Sequence, residues 1–504
     1  MRVLISILLF NQLIFSANIL SNCIVAPDTR TFERFQFTFP EQIESEHFIV
    51  HFTTSNADSQ FVNEQWLNLQ CNFGYAQSVI ELAEYALAIF MEADWEMMPP
   101  DCDEGITDEE SPNHCNNFGG NALYDIYLAN DAVGLVAPEN PYPVEPYIGG
   151  FTSFMQVTPL GNDHTFVPDW SVHVIAHELH HAIQIRYGTS VSGEPGNYAY
   201  NGWLYEQTST YMENVIFPAS YHFLVMMGNC NITSPLTYPE ISIDSSVDIY
   251  QYRSALWQKF LVEAYGDSTI NRLIWEGFGL ETATGNPVNM FPIYESALQT
   301  VTDGVTTLGD AYEDYALWRY FTGSRSRPGE FFMQAASYCT ANLLAIEETP
   351  TTFPSEKGGA RLVKLLPYET NLVLASSAYD NLLVQHISFS EEDEILMSSI
   401  EVNGEESFFQ LNNPAGDNHA LLITSEYTAE PGEEIEFTLS NTVPFIEGDI
   451  TGDSMVNVQD IIVQINIILH QIDPTDYQWL AADLDENNVV DVLDVILLVN
   501  LILG

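Results

Sequence analysis

Residues 173–184 read HVIAHELHHAIQ, and no other stretch restricts the fold of its surroundings as much. On an α-helix, which turns by about 100° per residue, His177 and His181 project from neighbouring positions one turn apart. The other face of that helix carries apolar side chains that can pack into a core, namely Ile175, Leu179, Ala182 and Ile183. The pattern therefore predicts a helix that ends near Gly188, with a histidine stripe on one side.

The residues from His177 to His181 satisfy the pattern H-E-x-x-H. Two imidazoles at this spacing can reach one Zn²⁺, while the glutamate beside them faces the water that the metal activates. We therefore predict His177 and His181 as zinc ligands and Glu178 as the general base. The alternative is a chance match on a histidine-rich surface helix, which the apolar back of the helix disfavours.

A catalytic zinc site needs a third protein ligand and leaves its fourth position open. The metzincin pattern would place a histidine six residues beyond His181, but that position is Tyr187. The stretch NGWLYEQTSTYMENV instead offers Glu206, 25 residues after His181. We predict Glu206 as the third ligand and Glu213, on the same helix face, as a residue that orients a ligand histidine. The alternative for both glutamates is a solvated surface charge.

The two other histidines of the opening stretch fall outside the ligand pair. We predict His180 as a flanking residue that can hydrogen-bond to a neighbour, and His173 as a surface residue of the first turn. The carbonyl oxygen of a substrate gains negative charge during hydrolysis and needs a donor beside the zinc. The segment DIYQYRSALWQ offers Tyr250, Tyr252 and Arg253, of which we select Tyr252. A tyrosine that only packs is the alternative.

The motif helix and its surroundings resemble the secreted zinc peptidases related to immune inhibitor A. The resemblance extends over roughly residues 45–345 and includes the segments WLYEQTSTYMENV, SALWQKFLVEAYGD and YEDYALWRYFTG. It implies a zincin-like α+β peptidase of the gluzincin type, with His177, His181 and Glu206 as ligands and Glu178 as general base. One departure is Thr210, because gluzincins often carry an acidic residue four positions after the ligand glutamate.

The C-terminal region contains an internal repeat. GDITGDSMVNVQDIIVQINIIL and ADLDENNVVDVLDVILLVNLIL superpose at an offset of 34 residues, and each reads as an acidic loop followed by an apolar helix. Oxygen ligands at loop positions 1, 3, 5, 9 and 12, with a backbone carbonyl at position 7, suit Ca²⁺. The predicted calcium ligands are Asp449, Thr451, Asp453, Met455, Asn457 and Asp460 in the first loop, and Asp483, Asp485, Asn487, Val489, Asp491 and Asp494 in the second. We expect weaker binding by the first loop because Thr451 is a poorer ligand than aspartate.

The two loop–helix units together resemble a dockerin domain, because each ends its loop with aspartate and carries one helix. The match covers about residues 447–504. It implies calcium-dependent docking onto a cohesin-like protein partner. The loop–helix junctions carry Val458-Gln459 and Val492-Leu493 instead of small hydroxyl residues, which argues against a cellulosome. A module that only stabilises the chain through calcium is the alternative.

The N-terminus predicts export. Arg2 precedes an apolar run over residues 3–10, which is typical of a secretory signal peptide, and we place this peptide at residues 1–22. A membrane anchor is disfavoured because an Asn-Gln pair interrupts the run before it could span a bilayer. Lipid attachment through Cys23 is a less favoured alternative, since the preceding asparagine fits a lipobox poorly. We therefore expect a secreted, extracellular protein.

Three domains follow the signal peptide in this interpretation, so the chain is multidomain. Residues 23–355 form the zinc metallopeptidase domain, and residues 446–504 form a small all-α calcium-binding dockerin domain. Between them, residues 356–445 contain short strand-like runs separated by Gly, Pro, Asn and Asp, which predict a β-sandwich. Its histidines, His386 and His419, are expected to be lone residues that are packed or exposed and do not bind a metal.

The net charge restricts the classes of binding partner, and the cysteine spacing restricts the kind of site. The chain has 70 Asp and Glu against 13 Lys and Arg, a net charge of −57, and is therefore repelled by nucleic acid and anionic membranes. None of its six cysteines forms a CxxC pair, which argues against a zinc ribbon or a thioredoxin-like site. We expect Cys102 and Cys115 to form a disulfide.

Two functions are compatible with these observations. The first is a secreted zinc-dependent endopeptidase that hydrolyses protein or peptide substrates and attaches to partners through its dockerin. The second is a non-catalytic extracellular binding or scaffold protein with a degenerate peptidase fold. The complete set of two histidines and two glutamates favours the first.

Overall fold

The computed structural model describes most of the chain from residue 33 onwards. It covers residues 33–62, 65–102, 105, 107–108, 114–129, 134–159, 167, 169, 171–188, 197–218, 221–282, 288–346, 351–366, 369, 371–389, 394–411, 418–425, 434–441, 446–452, 455–472, 474, 476–485 and 489–503. The predicted signal peptide, Cys23 and the predicted calcium ligands Asp453 and Asn487 lie outside the described residues.

The described chain is a mixed α/β protein with several sheets, consistent with a multidomain α+β architecture. Its strands are β1 (Glu41–Glu44), β2 (Phe48–Phe52), β3 (Ser59–Val62), β4 (Gln65–Asn68), β5 (Tyr124–Tyr127), β6 (Gly134–Pro141), β7 (Phe151–Val157), β8 (Leu344–Ala345), β9 (Thr351–Glu356), β10 (Ala360–Leu365), β11 (Asn371–Ala375), β12 (Leu382–Phe389), β13 (Leu396–Ile400), β14 (Glu406–Gln410), β15 (Asn418–Ser425) and β16 (Glu434–Asn441). Its helices are α1 (Phe73–Glu92), α2 (Val172–Tyr187), α3 (Asn197–Ile216), α4 (Tyr221–Gly228), α5 (Tyr250–Arg253), α6 (Ala255–Tyr265), α7 (Ile270–Thr282), α8 (Met290–Val301), α9 (Leu308–Tyr320), α10 (Val458–Ile468), α11 (Asp476–Ala482) and α12 (Val492–Leu503).

The chain divides into two compact units. The first takes the described residues up to Leu343, together with those in Ser355–Leu362 and Thr424–Ile435, and the second takes the remainder. The strand-rich region begins at β8, before the boundary at residue 356 that the sequence predicts.

A five-stranded sheet of order β1-β2-β5-β7-β6 forms the base of the first unit. Its three central strands run parallel, while β1 and β6 pair antiparallel at the two edges. Strand β2, with the sequence FIVHF, is buried along its whole length, as expected for a parallel strand with both faces covered. Strands β2 and β5 lie in the segments EHFIVHFTT and ALYDIYLAN.

The helices of the first unit enclose the motif. Helix α2 packs against α1, α3 and strands β6 and β7, and every residue from His173 to Tyr187 is buried. It ends at Gly188 as predicted. Helix α1 begins after Asn72, which caps it, because the Asn72 side chain accepts a hydrogen bond from the amide of Tyr75.

Among the residues that the structure describes after Leu343, nine strands form two sheets. One has five strands in the order β13-β12-β15-β10-β8, and the other has four in the order β14-β11-β16-β9. A cavity of about 460 Å³ is lined by residues of β12, β13 and β14. His386 and His419 are buried, which is one of the two expected outcomes, but they are not lone residues, because His386 Nε2 lies 3.2 Å from His419 Nδ1. They sit on strands that are neighbours in the sheet but far apart in sequence.

Each acidic loop of the C-terminal repeat precedes one helix, as predicted. Helix α10 follows the first loop and α12 follows the second, with α11 between them. The two helices and the loops share a small core that includes Ile450, Ile467, Ala481, Ala482 and Leu498.

Two disulfides join cysteines among the described residues. The predicted Cys102–Cys115 bond is confirmed, and a second bond joins Cys230 to Cys339, 109 residues apart. Cys71 is a buried free thiol. Among the helices that the structure describes, none is both long and apolar enough to cross a bilayer.

Candidate metal centre

Three donor atoms from helices α2 and α3 converge on one point. His177 Nε2 lies 3.1 Å from His181 Nε2 and 3.1 Å from Glu206 Oε2, and His181 Nε2 lies 3.4 Å from the same oxygen. A tetrahedral zinc with bonds of about 2.0–2.1 Å separates its ligands by about 3.3 Å. The three edges of this triangle therefore match what one zinc ion requires. The donors are the three ligands that the sequence predicts.

The proton positions around these donors leave a deficit of positive charge. His177 Nδ1 lies 2.7 Å from Glu213 Oε1, and His181 Nδ1 lies 2.7 Å from Gln184 Oε1, so each Nδ1 donates its hydrogen outward. In the neutral imidazoles both Nε2 atoms then carry lone pairs. Two lone pairs and a carboxylate oxygen face one another, an arrangement that a cation stabilises.

The pKa of His177 reflects the same deficit of positive charge. Burial lowers the pKa of this imidazole, but hydrogen bonds to Glu206 and Glu213 outweigh burial and raise it to about 10. The carboxylates of Glu206 and Glu213 therefore favour positive charge at this imidazole. Binding of a metal ion requires the deprotonated form of its histidine ligand.

Gln184 sets the orientation of His181. Its Nε2 donates to the backbone carbonyl of Tyr205 at 3.0 Å, which turns Oε1 towards His181 Nδ1. The same Nε2 lies 3.0 Å from His180 Nδ1. His181 is thus held by a neutral amide, whereas His177 is held by a carboxylate.

Glu213 is the carboxylate behind His177, the position that the sequence predicts for an orienting residue. It is fully buried, and its second oxygen lies 2.6 Å from His222 Nδ1. Burial opposes its ionisation, but the nearby His222 and His173 and the hydrogen bonds from His177 and His222 lower its pKa. His222, on the separate short helix α4, was missed by sequence reasoning because no motif links it to the H-E-x-x-H helix.

The prediction that His173 is a surface residue is wrong. His173 is buried and its ring stacks on that of His222, with centroids 4.3 Å apart and an interplanar angle of 11°. The reason is that α2 is covered on every side and has no solvent face. His180 has the predicted hydrogen-bond partner, Ser209 Oγ at 3.1 Å, but it is also fully buried, and burial lowers its pKa.

Glu178 is fully buried and faces the start of edge strand β6. A Cβ added to Gly134 would overlap the Glu178 carboxylate, so the side chain occupies the space that this glycine leaves. Sequence reasoning missed Gly134, because a single glycine carries no signal for a contact with a residue 44 positions away.

Among the three donor candidates, Tyr252 is the one beside the metal centre. Its ring stacks near His177, with centroids 6.0 Å apart, and it is buried. Tyr250 instead donates to the carbonyl of Ile241 at 3.3 Å. Arg253 donates to backbone carbonyls, including that of Asp248 at 2.8 Å.

The second calcium loop brings three predicted ligands together. Asp483, Asp485 and Asp494 each place a carboxylate oxygen within 4.8 Å of the others. Asp494 is buried, and its Oδ1 accepts hydrogen bonds from the amides of Leu484 at 2.9 Å and Asp485 at 3.2 Å. Asp491 at position 9 caps helix α12 by accepting from the amide of Leu493 at 2.7 Å. The side chain of Val489 is exposed, which suits a position that contributes only its carbonyl.

The first calcium loop repeats part of this arrangement. Asp460 is buried, and its Oδ1 accepts from the amide and the hydroxyl of Thr451 at 2.8 and 2.9 Å. Asp449 accepts from the amide of Gly452 at 2.9 Å, and Asn457 caps helix α10. The Met455 carbonyl accepts from Asn457 Nδ2 at 3.2 Å, and the Met455 side chain is exposed. The Thr451 hydroxyl therefore donates its hydrogen to Asp460, the predicted calcium ligand at position 12.

A family of unknown function, DUF6055, matches residues 166–292, a range that includes the residues of the candidate metal centre from His173 to Tyr252. No match among curated proteins was found.

Proposed function

We propose that this chain is a secreted zinc-dependent endopeptidase with a C-terminal dockerin that attaches it to protein partners through calcium. The observation that carries the peptidase is the convergence of His177, His181 and Glu206 with three lone-pair donors at ligand spacing, next to a buried glutamate. The zincin-like fold and the general-base role of Glu178 belong to the same proposal. The two disulfides fit export, because such bonds form in oxidising compartments.

In this mechanism His177, His181 and Glu206 would hold the zinc. Zinc bound there would supply Lewis acidity, which polarises a peptide carbonyl and acidifies water. Glu178 accepts a proton from the attacking water and delivers it to the leaving amine, as a carboxylate positioned beside the nucleophile can. Tyr252 donates a hydrogen bond to the carbonyl oxygen as that atom becomes negative.

Strand β6 offers a place for the substrate. In the described sheet it pairs with β7 on one side only, and its first residue, Gly134, lies against Glu178. An extended peptide can pair with a free strand edge through main-chain hydrogen bonds. A substrate bound along β6 would pass the general base, which favours an endopeptidase acting on extended chains.

Metal analysis combined with one conservative variant tests the peptidase. The purified chain should contain about one zinc, and Glu178→Gln should retain that zinc while casein hydrolysis falls by about 10²–10⁴-fold, the usual contribution of a general base. Glu92→Gln, at the exposed end of α1, is the matched control and should hydrolyse casein normally. Absence of zinc, or full activity in Glu178→Gln, would reject the mechanism.

The dockerin has its own supporting observation. The two repeat helices expose large apolar side chains to solvent, namely Val458, Ile462 and Ile465 on α10, Leu469 directly after it, and Val492, Leu493, Ile496, Leu497 and Leu501 on α12. Exposed apolar side chains in such number are typical of a surface that binds another protein. A cohesin-like protein is the proposed partner.

The same surface favours the second candidate, a non-catalytic binding or scaffold protein that uses only its C-terminal module. The two candidates differ in one measurement. A scaffold protein would show no casein hydrolysis in the zinc-loaded wild-type chain, so Glu178→Gln would change nothing, whereas the endopeptidase requires activity that this variant removes.

A further inference from the structure

Glu213 connects two histidines that play different parts. One of its oxygens accepts a hydrogen bond from His177 Nδ1 at 2.7 Å, and the other accepts from His222 Nδ1 at 2.6 Å. All three side chains are buried. The result is a chain of hydrogen bonds from His222 through Glu213 to His177, whose Nε2 belongs to the metal centre.

A buried carboxylate with only one donor would be poorly held. Glu213 has no solvent exposure, so water does not compete for its second oxygen, and an unmade hydrogen bond there would leave a charged atom unsatisfied. His222 supplies that bond. It therefore fixes the direction in which Glu213 presents its other oxygen to His177, and with it the plane of the His177 ring.

His173 holds the imidazole ring of His222 in place. Its imidazole stacks on that of His222 with centroids 4.3 Å apart and planes within 11°. His173 lies one helical turn before His177 on α2, while His222 lies on α4. The stack therefore ties the position of His222 to the same helix that carries both candidate histidine ligands.

We propose that His222 is a positioning residue for the zinc centre, acting through Glu213 on His177. The proposal rests on the proposed zinc site. Its consequence is that the two histidine ligands differ in the residues that support them. His177 is backed by a carboxylate that two further histidines steady, whereas His181 is backed by the neutral amide of Gln184. A carboxylate partner makes the imidazole a stronger ligand, so His177 should be the better electron donor of the pair.

A second metal ion held by His173, Glu213 and His222 is the competing interpretation, because donor atoms of these residues lie within 4.8 Å of one another. The geometry favours the hydrogen bond. Glu213 Oε2 and His222 Nδ1 are 2.6 Å apart, which is shorter than the separation of about 3.3 Å between two ligands of one zinc. The parallel rings of His173 and His222 also do not converge on a common point.

Two substitutions at position 222 separate positioning from structural support. Asparagine places its Nδ2 where His222 has Nδ1 and can still donate to Glu213, whereas leucine has similar bulk and no donor. We expect His222→Leu to weaken zinc binding by about tenfold, at the lower end of the range for outer residues of metal sites, and His222→Asn to restore most of it. Zinc affinity is measured by competition with a chromophoric chelator, with His47→Leu as a control, since His47 pairs with Glu84 instead.

The outcomes are distinguishable. Equal zinc affinity in wild type, His222→Leu and His222→Asn overturns the positioning role but leaves the zinc site intact. Equal losses in both variants also overturn it, since the donor would then not matter. Two zinc ions per wild-type chain, falling to one in His222→Leu, would establish the second metal site instead. Loss of all zinc affinity in His177→Ala is expected, and its retention there would reject the proposed function itself. Thermal unfolding of the metal-free variants shows whether His222→Leu still folds.

Discussion

The carboxylate of Glu178 lies against the backbone of Gly134, so closely that a Cβ on residue 134 would overlap it. The atoms in the way are the flexible end of the Glu178 side chain, which can move more easily than backbone can. A methyl group at this position therefore displaces the predicted general base and leaves the fold in place. The two residues are joined by packing between edge strand β6 and helix α2.

Gly134→Ala should reduce casein hydrolysis by about 10²-fold, the loss expected when a reacting group is misplaced by about 1 Å. Zinc content should be unchanged, because the three atoms nearest to a Cβ on residue 134 all belong to Glu178 and none to the three donors. Gly202→Ala is the matched control, since a Cβ there meets no atom within 4 Å and replaces glycine inside helix α3. Comparable activity of both variants would show that Glu178 does not act from its observed position.

The donors of the metal centre follow from sequence more readily than their surroundings do. Helical periodicity alone places His177 beside His181, and Glu213 on the face of Glu206, so both pairs could be predicted. His222 and Gly134 could not, because each reaches the centre through packing between separate elements. The same limitation explains His173, which a helix pattern assigns to the surface but which lies beneath neighbouring helices.

The fold, too, was predictable from the sequence where local patterns specify it and was not predictable where distant residues meet. Strands β2 and β5 and helix α1 were predictable because each carries its own periodic pattern. The Cys230–Cys339 bond spans 109 residues, and no local pattern specifies it. The short contact between His386 and His419 likewise depends on which strands become neighbours in a sheet.

Zinc should stabilise the first unit, and Glu206→Ala should remove most of that effect. A ligand that binds only the folded state adds about 4 kcal/mol when its free concentration is 1,000 times its Kd. Protein freed of metal is unfolded thermally before and after zinc is added, and the difference between the two measurements gives the stabilisation by zinc. Glu92→Ala serves as the control and should keep the full zinc response. A zinc response in Glu206→Ala equal to that of the wild type would remove Glu206 from the ligand set.

The pair formed by His386 and His419 should make the strand-rich region less stable in acid. Burial and the neighbouring His419 lower the pKa of His386 to about 4, and burial lowers the pKa of His419. An unfolded histidine titrates near 6.5, so the unfolded chain binds protons first as the pH falls. The contribution is fully present above about pH 6.5 and is lost towards about pH 4. Urea unfolding at pH 7 and pH 5 measures it.

His386→Asn is the variant that isolates this contribution from the many carboxylates of the chain. The difference in unfolding free energy between pH 7 and pH 5 should be smaller in His386→Asn than in the wild type. His114→Asn is the control, because His114 caps a short turn and lies outside the strand-rich region. An identical pH dependence in wild type and His386→Asn would mean that His386 titrates normally in the folded protein.

Thr451→Asp should strengthen calcium binding by the first loop. The Thr451 hydroxyl donates to Asp460 Oδ1 at 2.9 Å and so occupies a carboxylate oxygen that calcium would use. Aspartate removes that donor and adds a charged oxygen at position 3, where the second loop already has Asp485. Calorimetric calcium titration should resolve a weak and a strong site in the wild type and two sites of similar affinity in Thr451→Asp. Asp494→Asn should abolish the strong site and leave the weak one. If Thr451→Asp leaves the weak site unchanged, the ligand assignment at position 3 of the first loop is wrong.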